Sequence, residues 1–226
     1  MVRKLVLSAI AALAVAGSAS AADLPVYKAV PAPAFTWDGT YIGGTVGYGW
    51  GDSFHFQGAA NTLPFDIDGM VAGVTLGKNW QRGAFVFGIE TDISYSDISG
   101  TSPSNNGFGC GGLCATSLEW FGTFRGRIGL ANGPFLPYIT GGLAYGRIKA
   151  SIADGASRGS NTEIGWVVGA GLEYALGRNW SAKVEYLRVD LGDTINYDTA
   201  LLCGGTGCSA AYSAFDIVRL GVNYRW

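Results

Sequence analysis

FVFGIETDISY, residues 85–95, is the stretch from which the fold is read. Phe85, Phe87, Ile89, Ile93 and Tyr95 fall on one side of an extended chain, and Gly88, Glu90, Asp92 and Ser94 on the other. Side chains of a strand alternate between faces, so this pattern predicts a strand with one apolar and one polar side. The same period continues in both directions. Toward the N-terminus it covers about Thr40–Trp50 (Ile42, Val46, Tyr48 and Trp50 against Tyr41, Gly43, Thr45, Gly47 and Gly49) and about Gly69–Lys78 (Ala72, Val74 and Leu76 against Val71, Gly73, Thr75 and Gly77). Toward the C-terminus, Leu118, Trp120, Phe124, Ile128 and Leu130 oppose Glu119, Thr123, Arg125 and Arg127.

A weaker fifth strand covers about Leu136–Lys149, where Ile139, Leu143 and Tyr145 alternate but Ile148 falls out of phase with Arg147 and Lys149. A bulge or an exit from the apolar layer is expected there. Trp166–Tyr174 and Trp180–Leu187 follow, and the last strand sets Val218, Leu220, Val222, Tyr224 and Trp226 against Arg219, Gly221, Asn223 and Arg225. These eight strands have the roughly 10-residue length that a tilted strand needs to cross a bilayer. Short turns are expected near 79–83, 131–135 and 177–179, and long loops near 51–66, 97–116, 150–162 and 191–213. Short turns on one rim and long loops on the other are the mark of a membrane barrel. The predicted fold is all-β: an eight-stranded antiparallel up-and-down transmembrane β-barrel.

Period-two patterning fits a soluble barrel equally well, so the facing is decided by physics. An eight-stranded barrel has an interior just wide enough for side chains, too small for a dozen or more aromatic rings, whereas the glycine-interleaved polar face fits. The aromatic residues Trp50, Tyr95, Trp120, Trp166, Tyr174, Trp180, Tyr186, Tyr224 and Trp226 lie mostly near strand ends, where interfacial girdles sit. The polar face carries Glu90, Asp92, Glu119, Glu173 and Glu185 with Arg125, Arg127, Lys183, Arg219 and Arg225. Gathered in one interior they neutralise each other, whereas a Lys or Arg facing lipid at the midplane costs about 2–4 kcal/mol. A closed barrel also pairs every backbone group, as lipid requires. The chain is therefore expected to lie apolar side out.

The N-terminus reads as a secretory signal. Arg3 and Lys4 form a basic start, Leu5 to Gly17 an apolar core, and Ala19-Ser20-Ala21 a cleavage site, with processing after residue 21. Residues 22–36, with three prolines and no periodicity, read as a periplasmic linker, leaving 37–226 as the barrel domain. Processing leaves 13 basic against 17 acidic residues without a basic patch, so nucleic acid is not an expected partner. Four cysteines in an exported chain point to disulfides. Proximity favours Cys110 with Cys114 and Cys203 with Cys208, since a four-cysteine zinc site wants tighter spacing.

Little else suggests chemistry. His55, the one histidine, lies in the first expected loop; such a residue can be a haem or metal ligand, but a solvated loop side chain is the far commoner state. No serine and carboxylate are marked to join it as a nucleophilic triad. The glycine run at 107–112 lacks the lysine and the strand–turn–helix setting of a phosphate loop. No enzyme, cofactor or metal is expected.

Four segments carry a family resemblance: ADLP (22–25), WDGTYIGG (Trp37–Gly44), PYITGGLAYG (Pro137–Gly146) and the terminal VNYRW. They resemble the RopB-like small outer-membrane proteins of alphaproteobacteria, which are themselves similar to the transmembrane domain of OmpA. The resemblance runs over essentially the whole chain after residue 21. It implies an abundant, surface-exposed and often immunogenic protein of the Gram-negative outer membrane. Some relatives are described as haem-binding, with no residue set to carry over. The sequence stops at the barrel, so OmpA's peptidoglycan-binding domain is not expected. Trp226 resembles the terminal aromatic sorting signal read by the outer-membrane assembly machinery. The expected partners are that machinery, outer-membrane lipid and lipopolysaccharide. The expected function is a structural and surface role in the envelope, with a narrow porin-like pore or a haem- or ligand-binding surface protein as alternatives.

Overall fold

The computed structural model describes residues 35–57, 60–61, 64–102, 115–152, 157–192, 195–196, 209–212 and 214–226. The segments rich in β-branched and aromatic residues at alternate positions form eight long strands, as such residues suit a pleated surface. These are β1 (Gly39–Gln57), β2 (Phe65–Arg82), β3 (Phe85–Thr101), β4 (Ala115–Leu130), β5 (Phe135–Ile152), β6 (Ser157–Ala175), β7 (Trp180–Asp190) and β8 (Phe215–Arg225). Each pairs antiparallel with the next. β8 returns to β1 in register from Tyr41↔Arg225 to Trp50↔Asp216, which closes the barrel. Among the described residues no helix is present.

Three turns are tight and lie on one rim: between β2 and β3, with Gly83 at φ +61°, between β4 and β5, with Gly133 at φ +58°, and between β6 and β7. Glycine fits the left-handed conformation of the first two because it has no Cβ to clash. The opposite rim carries the longer connections, and several strands reach well past a bilayer's thickness toward it. β1 and β6 each have 19 residues, against the roughly 9–11 a tilted strand needs to cross. Residues 51–57 and 65–66, expected in the first long loop, continue the ladder, pairing Gly51 with Ile67 and Ser53 with Phe65. Short strands Ala60–Asn61, Ile195–Asn196 and Ser209–Tyr212 extend the sheet there, and His55 pairs with Ala210 instead of standing in a loop. Beyond the bilayer no lipid selects apolar side chains, so the alternation fades while the strand persists.

The outer face holds Ile42, Val46, Val74, Leu76, Phe87, Ile89, Ile93, Phe124, Ile139, Leu143, Leu220 and Val222, all exposed. A bulge alters this pattern on β4, directly across the ladder from Ile148 and not on β5 itself as expected, and the register also slips against Tyr95–Ile98 of β3. Leu118 pairs with Ile148 and Trp120 with Arg147, so Glu119 is an extra residue with no partner on β5. One inserted residue reverses the facing beyond it. Phe121, Thr123, Arg125 and Arg127 therefore point inward on one side of the bulge and Thr116 and Leu118 on the other. β5 keeps its phase throughout, and Ile148 is simply an interior residue.

Candidate functional site

The barrel interior is the only place where the described charges are concentrated and buried, and it is stacked in three layers. Toward the long-loop rim lies a continuous apolar cluster that includes Phe65, Ile67, Ile98, Leu118, Phe121, Ile148, Leu187, Val189, Phe215 and Ile217. Toward the short-turn rim lies a smaller one of Trp37, Val86, Leu136, Tyr138 and Ala175, with Phe35 and Ala131 packed against it. Between them sits the ionic layer.

That layer contains Glu90 and Asp92 of β3, Arg125 and Arg127 of β4, Glu173 of β6, Lys183 and Glu185 of β7, and Arg219 of β8, all at most 3% exposed. Four acids thus face four bases. Arg125 bonds Glu90 and also donates to Glu185 Oε1 at 3.0 Å and Asp92 Oδ2 at 3.1 Å. Arg219 reaches Glu185 Oε2 through Nε at 2.7 Å and Asp92 Oδ2 through Nη2 at 3.1 Å. Lys183 Nζ lies 2.9 Å from Glu90 Oε2. Glu173 accepts from Arg127 Nη2 at 2.7 Å, Ser181 Oγ at 2.6 Å and Asn223 Nδ2 at 2.9 Å. Burial of charge is costly unless each partner is met, and here every carboxylate is met by at least one cation.

Two inward tyrosines tie this layer to the short-turn end. Tyr41 Oη donates to Glu90 Oε2 at 2.7 Å and Tyr138 Oη to Glu185 Oε1 at 3.0 Å. Their rings lie on the Arg127 guanidinium, at 5.3 Å and 4.6 Å, a favourable cation–π arrangement. Each ring lies over a glycine directly across the ladder, Gly77 for Tyr41 and Gly171 for Tyr138. A Cβ on Gly171 would sit 2.6 Å from the Tyr138 ring, so the glycine makes the room the ring fills.

Not every expected member belongs to this site. Glu119 lies on the outer surface, 37% exposed, with Lys149 Nζ at 2.5 Å and Arg147 Nε at 3.9 Å. The bulge turns it away from the interior. Arg225 is buried but set apart at the short-turn mouth, its guanidinium 4.9 Å from the rings of both Phe35 and Trp37. Trp226 is 62% exposed on the outer face of the same rim. Cys110, Cys114, Cys203 and Cys208, and the proposed signal segment, lie outside the described residues. The sequence reading did not single out Tyr41, Tyr138, Phe35 and Trp37. Tyr41 stood on the polar face with a signal available, since an aromatic among lumen residues needs a partner for its hydroxyl.

Chemically the interior holds carboxylates as acceptors and cations as donors, with an apolar seal at each end. The arrangement is a lock.

Comparison with known proteins agrees with this architecture. A family model described as an outer membrane protein beta-barrel domain matches residues 9–225. The 31 kDa outer-membrane immunogenic protein of Brucella melitensis is 37% identical over 248 residues, covering 99% of this chain and 100% of the relative. The 22 kDa outer membrane protein of Rhizobium leguminosarum bv. viciae is 37% identical over 160 residues, covering 70% of this chain and 66% of the relative. Among solved structures, the outer membrane protein OprG of Pseudomonas aeruginosa superposes with a TM-score of 0.52 at 11% identity, covering 84% and 96% of the two chains. Closed ladder, outward apolar face and matched sequence lead to one conclusion: the chain belongs to the outer membrane protein β-barrel domain family and is a protein of the cell outer membrane.

Proposed function

We propose that the protein is a non-conducting, non-enzymatic scaffold of the outer membrane that displays its long-rim connections at the cell surface. The observation that carries this reading is the filled lumen, an ionic layer closed by apolar side chains on both sides. A solute pore needs a continuous wet path, and fifteen buried apolar side chains occupy the outer half. Surface display is supported by the strands that run past the bilayer on that rim, and by the Brucella relative's description as immunogenic. The partners that fit are outer-membrane lipid and lipopolysaccharide along the apolar wall. The outer-membrane assembly machinery would act at the terminal strand.

Planar-bilayer recording on the refolded protein tests the choice between scaffold and pore. The expected record shows no stable conductance steps across a range of salt and voltage. Reproducible unitary currents that respond to substitutions at Arg125 or Phe121 would replace the scaffold by a pore.

A further inference from the structure

We propose that the segment 35–38 is a closure clasp: its docking site exists only after β8 has paired with β1, and its docking then holds the barrel shut. Trp37 is fully buried at the short-turn mouth, in one cluster with Val86 of β3, Leu136 and Tyr138 of β5, and Ala175 of β6. Its backbone N–H donates to Gln81 Oε1 of β2 at 2.7 Å, and its indole Nε1–H to the carbonyl of Gly133, in the β4–β5 turn, at 3.3 Å. Arg225 of β8 lies against its ring, with Phe35 on the same guanidinium. The two rings meet edge to face at 5.1 Å. Asp38 Oδ1 accepts from the Gln81 backbone N–H at 2.6 Å.

Four strands spread around the circumference therefore seat one side chain, and a fifth, β2, holds its backbone. In an unclosed sheet β2 and β8 are near opposite ends, and only the β1–β8 register brings Arg225 beside Tyr41 and Trp226 N–H to Thr40 O at 3.1 Å. A ring so placed gains its contacts after the ladder is complete. Interactions made after the transition state slow unfolding and leave the folding rate almost unchanged.

The test follows the full chain labelled with 5-fluorotryptophan as it refolds into detergent micelles. The Trp37 resonance is assigned by its loss in Trp37→Phe. Its native shift is expected to appear after the β-sheet circular dichroism. Trp37→Ala is expected to fold at an unchanged rate and to unfold in urea about a hundredfold faster or more. Trp80→Phe, exposed on the lipid face of the same rim, is expected to leave the unfolding rate within a fewfold. A Trp37 shift that reaches its native value with or before the ladder overturns the proposal. So does a Trp37→Ala protein that unfolds no faster than the parent, or a Trp80→Phe control that unfolds equally fast. If Trp37→Ala fails to refold, Phe35→Ala and Arg225→Gln take its place. Unchanged unfolding in both overturns the clasp, and accelerated unfolding with normal folding upholds it.

Discussion

Glu90 and Glu119 stand on adjacent strands, yet one is 2% exposed among four cations and the other faces solvent beside Lys149. Glu90→Gln leaves Arg125 and Lys183 short of an anion in the buried interior, a change typically worth about 3–5 kcal/mol. Its urea unfolding midpoint is expected to fall clearly. Glu119→Gln breaks a solvated pair whose typical worth is about 0–1 kcal/mol, and its midpoint is expected to stay near that of the parent. A silent Glu90→Gln would mean that these groups share no buried interior. The error over Glu119 has a simple cause. Leu118 and Trp120 are both apolar, so a single inserted residue between them leaves no mark in composition, and parity carried across it gives the wrong face. The clasp residues were hidden for another reason. Phe35 and Trp37 stand in a stretch with no period, and their burial depends on five distant strands.

Strand centres were readable because each is tested on two sides, by lipid outside and by a narrow interior within. Strand ends were not, since residues such as 51–57 keep pairing without either constraint. The same logic predicts sensitivity along β8. Leu220, 60% exposed between Val46 and Val184 on the neighbouring strands, lies beside the ionic-layer residue Arg219. Leu220→Arg puts a charge against the lipid near mid-depth, where such a change costs about 2–4 kcal/mol. Stability measured in lipid vesicles is expected to fall accordingly, and no change would place that face away from lipid. At the end of β8, Trp226 stacks with Tyr224 at 6.3 Å, which in turn meets Trp180 at 5.1 Å. An ordinary girdle residue would lose stability on deletion but still insert. As the sorting signal its resemblance implies, deleted Trp226 is expected to lower the amount of heat-modifiable protein in outer-membrane fractions and raise periplasmic degradation. Normal outer-membrane levels would reduce it to a girdle residue.

In the closed barrel the apolar residues cover the wall while four acids and four bases fill the centre. That inversion also bears on the journey of the unfolded chain. Most barrel strands that contribute to the ionic layer carry a charge well inside their span, such as Glu90 in β3, Arg125 in β4, Glu185 in β7 and Arg219 in β8. As a helix in the inner membrane each such residue would cost about 2.5–3.5 kcal/mol at mid-depth. Those strands therefore offer the translocation machinery little to release sideways into the first membrane. The charges that lock the finished barrel also act as its transit pass.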